Sequence, residues 1–95
     1  MTKIILSQLI WDSWNREHIK KHNVAVEVVE EAVSNLLAHR MGHDGKIVLI
    51  GRSDKRLIAM IIAHEEGNKY YVVTARDADR KERKLVYEKE GKQNK

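Results

Sequence analysis

The residues best equipped for chemistry lie in Tyr70–Tyr87, YYVVTARDADRKERKLVY. At ~100° per residue, Arg80, Arg83, Lys84 and Tyr87 share one helical face, and Arg76 lines up behind them. Clustered guanidiniums grip phosphates through paired hydrogen bonds. They also stabilise the extra negative charge of a phosphorane-like transition state. Glu82, in their midst, either neutralises an arginine or serves as a base. The plain alternative is a solvated helix, since surface helices commonly carry Arg and Lys. Arg52 and Arg56 flank a turn further back. If the strands around that turn pair with the strand leading to Arg76, these arginines converge on one end of a sheet.

His18 and His22 are four residues apart, the spacing of a two-histidine metal site. The metalloprotease pattern requires Glu directly after the first His, and here Ile19 stands there. His39, His43 and His64 are scattered, so no third ligand has diagnostic spacing and no metal is expected. The remaining roles are hydrogen bonding within the fold, acid–base work or RNA contact. The chain has no nucleophile elbow, phosphate-binding glycine loop or dinucleotide fingerprint. No cofactor is expected.

These residues need a frame to position them. Ile4–Ile10 reads as a short strand. Asp12 is a good N-cap for a helix over Asp12–His22, on which Asn15, His18 and His22 form one stripe. Asn23 tolerates the left-handed backbone at which helices stop, and Val24 is expected to pack back onto the core. Val26, Val29, Val33, Leu36 and Leu37 repeat at helical spacing, which predicts a helix over Ala25–Ala38. His39–Gly45 reads as a loop. Lys46–Arg52, Arg56–His64 and Tyr70–Thr74 read as strands joined by two short turns, an antiparallel meander. A helix from about Ala78 follows, capped by Asp77 or Asp79. The predicted fold is α+β, in the order β-α-α-β-β-β-α, an antiparallel sheet with helices packed on it. Residues 1–87 form one domain and 88–95 a polar tail that frays.

Ninety-five residues suffice for one modest core. Charged residues make up 34% and apolar residues 42%, a globular balance that argues against disorder. The net charge of +4 and a pI near 9.4 favour an anionic partner. The absence of cysteine excludes disulfides and thiolate nucleophiles. With no secretory signal and no membrane-length apolar run, the cytoplasm is the expected location.

Trp11-Asp12, Asn15, His18 and His22-Asn23-Val24 resemble the opening signature of BrnT-type toxins. Gly51-Arg52 with Arg56 is similar to their central glycine and Arg-Leu turn. Thr74-Ala75-Arg76, Ala78, Glu82-Arg83 and Tyr87 resemble their closing S/T-A-R-x-A-x-x-x-E-R-x-x-Y signature. The chain departs from the pattern at Asn23, where a glycine is usual, and at Ile19, where a basic residue is usual. The resemblance implies a RelE-like fold and the toxin of a type II toxin–antitoxin pair. Such a toxin is a metal-independent endoribonuclease that blocks translation, partnered by a small DNA-binding antitoxin. Under this reading Arg76 and Arg83 hold the phosphate, His18 or His22 serves as acid or base, and Glu82 and Tyr87 complete the catalytic set. Arg52, Arg56, Arg80 and Lys84 bind RNA. The rival reading is a catalytically inactive module that binds RNA or a partner protein.

Overall fold

The computed structural model describes residues 6–93. A 3-10 turn, Leu6–Gln8, leads into strand β1, Leu9–Ile10. Helices α1, Ser13–Lys20, and α2, Val26–Ser34, follow. Then come strands β2, Leu36–Met41, β3, Ile47–Ser53, β4, Arg56–Glu65, and β5, Lys69–Asp77, and finally helix α3, Arg80–Gln93. The sheet order is β1-β5-β4-β3-β2. The fold is α+β, with a mixed five-stranded sheet: the antiparallel ladder β2-β3-β4-β5 plus β1 parallel to β5. Among the described residues no helix is long and apolar enough to cross a membrane.

The expected meander is present, but the order is β-α-α-β-β-β-β-α, one strand more than predicted, the sheet is mixed and not wholly antiparallel, and the bounds of several elements differ from expectation. The helix predicted over Ala25–Ala38 stops at Ser34. Asn35 leaves helical geometry (φ −128°, ψ 53°) and its side chain donates to the Glu31 carbonyl. Leu36 and Leu37 fit a helical period, yet they open β2, which takes in His39–Met41 of the stretch read as a loop. A short apolar run satisfies both periods, and here the edge of β3 provides the partner. The strand predicted over Ile4–Ile10 is reduced to Leu9–Ile10, because Leu6–Gln8 turn as a 3-10 helix; Ile4 and Ile5 lie outside the described residues.

Strand alternation divides the core into two layers. Ile19 of α1 and Val29, Ala32 and Val33 of α2 pack with Leu49, Ile58, Met60, Ile62 and Val72 on one face. Ala78 and Val86 pack with Ala38, Val48, Ile50, Leu57 and Ala59 on the other. Thus α1 and α2 cover one face of the sheet and α3 the opposite face. Gly51 allows the close approach of α2: a Cβ there would fall 1.9 Å from the Ala32 carbonyl oxygen. Asn23 adopts φ 60°, the left-handed stop expected from its type, and Val24 is buried.

Asn15 fixes α1 to the sheet. Asp12 caps the helix by accepting from the Asn15 N–H, and Asn15 Oδ1 accepts from the Asp12 N–H. The Asn15 amide donates to the carbonyls of Ile10 and Val72. One fully buried side chain therefore ties α1, β1 and β5 together.

Candidate functional site

The α3 segment begins with a reciprocal cap. Asp79 accepts from the Glu82 N–H, and Glu82 accepts from the Asp79 N–H. This turns the Glu82 carboxylate inward, where its side chain is 1% exposed. Arg76 of β5 donates to both of its oxygens at 2.7 and 3.1 Å. Arg40 of β2, three strands further across the sheet, donates from the other side at 3.0 Å. Burial pushes the Glu82 carboxyl upward, but the bonds from Arg76, the Asp79 N–H and Arg40 outweigh it and bring its pKa to about 2. A carboxylate so stabilised is a poor proton acceptor. It orients Arg76, whose own pKa is raised by the hydrogen bond to Glu82.

The other arginines separate by face. Arg52 lies opposite Leu57 in register and so shares the α3 face with Arg76, whose register partner is Ala59. Arg52 makes a bidentate pair with Glu90 of α3 at 3.1 and 3.3 Å, and this hydrogen bond raises its pKa. Arg56 alternates to the α1–α2 face and pairs with Asp77 at 3.0 Å. The two arginines flanking the turn therefore share a sheet end without sharing a face.

His18 lies on α1 and His22 in the turn just after it, in the layer across the sheet from α3. They contact each other edge to face, with ring centroids 5.6 Å apart, and His18 stacks on Trp14. The structure does not bring them to the arginines. It also splits the predicted Asn15–His18–His22 stripe, since Asn15 points into the core. Among the described residues no group of three or more His, Cys, Asp or Glu is placed to hold a metal.

The arrangement that does gather is on the outer side of α3. Arg80, Arg83, Lys84, Tyr87 and Glu88 line one hollow of about 440 Å³. Arg83 is braced by donating to the Ala78 carbonyl at 2.8 Å. Tyr87 is 57% exposed. Lys84 and Glu88 approach each other at 4.0 Å. The hollow thus combines cations, a phenol and a carboxylate. Arg40, Asp79, Lys81, Glu82 and Leu85 line a second hollow of about 440 Å³ beside it. A larger one, about 810 Å³, lies between α1 and α2 and holds none of the α3 residues.

Arg40, Glu88 and Glu90 are absent from the sequence-based site. Arg40 lay in a segment read as a loop, where the adjacent polar residues His39 and Arg40 give no strand alternation in the sequence. Glu88 and Glu90 lay in the stretch read as a tail, of which residues 88–93 continue α3. No family model, curated protein or solved structure matches the chain.

Proposed function

We propose that the protein acts on RNA held against the exposed face of α3, as the toxin of a type II toxin–antitoxin pair that cleaves RNA without a metal. The observation that supports this most is the hollow shared by Arg80, Arg83, Lys84, Tyr87 and Glu88. Transesterification of RNA needs cations at the phosphate, a base for the ribose 2′-hydroxyl and an acid for the leaving 5′-oxygen. Arg80 and Arg83 take the non-bridging phosphate oxygens. Glu88 accepts the 2′-hydroxyl proton as that oxygen attacks phosphorus, and Tyr87 donates a proton to the departing 5′-oxygen. The products are a 2′,3′-cyclic phosphate and a 5′-hydroxyl. Glu82 acts as a positioning residue for Arg76. Resemblance to the BrnT signatures supplies the wider setting: a RelE-like fold, action in the cytoplasm, arrested translation and a small DNA-binding antitoxin.

The test is cleavage of end-labelled RNA in excess chelator by the wild type and by Arg83→Ala and Glu88→Gln. Cyclic-phosphate product from the wild type, reduced about 10²-fold in each variant, is expected. Equal cleavage by all three would assign the activity to another site or a contaminant. The rival binding-module reading draws on Glu82 being locked in ion pairs and on both candidate histidines lying in the other layer. RNA binding without product from any of the proteins would establish it instead.

A further inference from the structure

The α1 helix meets the sheet through Asn15 and Ile19, both fully buried. On its flank and into the turn that follows, Trp14, His18 and His22 succeed one another at intervals of four residues. The Trp14 and His18 rings lie 4.7 Å apart and within 9° of parallel, and His22 meets His18 edge on. Trp14 is 57% exposed. A large apolar side chain so exposed adds little to the core, and this one stacks on its neighbour. An aromatic surface ordered in advance loses little freedom when a flat ligand settles on it.

We propose that Trp14, braced by His18, is a stacking site for an unpaired nucleobase of RNA. This rests on the reading of RNA as the ligand and adds a second contact, across the sheet from α3. The chemistry of the stripe favours a base over a protein helix. It contains an indole and imidazoles and no aliphatic residue, whereas a docking face for a helix presents Leu, Ile or Val at helical intervals. Lys21, the C-cap of α1, falls at i+7 from Trp14 and is exposed, so the same flank also carries a cation. Unpaired bases stack on Trp and His irrespective of sequence, while nearby cations follow the phosphates.

The experiment titrates an oligoadenylate of about 16 nucleotides into wild type, Trp14→Ala, Trp14→Phe and Arg83→Ala/Lys84→Ala, following tryptophan emission and affinity over a range of salt. The inference expects RNA to quench wild-type emission, and Trp14→Ala to lose that quenching and bind about 10-fold more weakly. Trp14→Phe should recover most of the affinity. The salt slope of Trp14→Ala should equal the wild type's, because stacking neutralises no phosphate, whereas the α3 variant should have a shallower slope. Wild-type affinity in Trp14→Ala, with binding weakened by the α3 substitutions, would overturn the stacking site and leave RNA binding standing. No RNA binding by the wild type at low salt would overturn both.

Discussion

Glu82 shows how far a single residue was readable in advance. Its place among arginines marked it as either their neutralising partner or a base. The first role holds in the structure, through four hydrogen bonds that include a donor from Arg40 on a distant strand. No spacing along the chain links residues 40 and 82, so that partner was not legible. The ion pairing has a consequence for pH. The pKa of Glu82 falls from an unperturbed 4.5 to about 2 on folding, so its stabilisation is complete above 4.5 and is lost as pH falls toward 2. The drop corresponds to about 3 kcal/mol. Urea unfolding of the wild type over that interval should show the loss, and Glu82→Gln should start less stable and lack this part of the slope. An identical pH slope in both proteins would show that Glu82 is not the group responsible.

At the scale of elements, the strands of the meander and the first helix were legible because their patterns had one interpretation. The β3 and β4 segments are continuous apolar runs divided by the two-residue turn Asp54-Lys55. The end of α2 was not legible, because Leu36 and Leu37 suit a helix as well as they suit a strand. Asn15 was read as one member of a stripe with His18 and His22, yet it is the joint between α1, β1 and β5. Its amide satisfies two carbonyls that would otherwise lack those bonds, one of them in a fully buried contact. Asn15→Ala should therefore cost about 3 kcal/mol in chemical denaturation, the sum expected when buried acceptors lose their donors. A cost within ~0.5 kcal/mol, the range of ordinary surface changes, would show that the joint is dispensable.

For the whole molecule, basic composition pointed to an anionic ligand, and the layering decides which basic residues can act together. Arg40, Arg52 and Arg76 share the α3 face, while Arg56 and the histidines belong to the other layer. Sequence order could not reveal this, since each strand sends successive side chains to alternate faces. β5 is the element on which both layers depend. It pairs with β1 and β4, carries Val72 and Ala75 into one core, and presents Arg76 to Glu82 on the other side. A fragment comprising residues 1–68 should show no cooperative thermal transition by circular dichroism. A sharp melt from that fragment would mean that β2, β3 and β4 with α1 and α2 suffice for a core.

The parallel pairing of Leu9–Ile10 with Tyr70–Tyr71 also bears on how the chain comes off the ribosome. The earliest strand has its partner about two-thirds of the chain later, so α1 emerges long before the carbonyl of Val72 that Asn15 holds. Contacts so distant in sequence close late and slowly. Until β4 and β5 emerge, Ile19 and Trp11 lack the sheet residues they pack with in the fold. The Arg76–Glu82 pair and the outer face of α3 come later still. Any activity housed there is withheld from the nascent chain until α3 has been made.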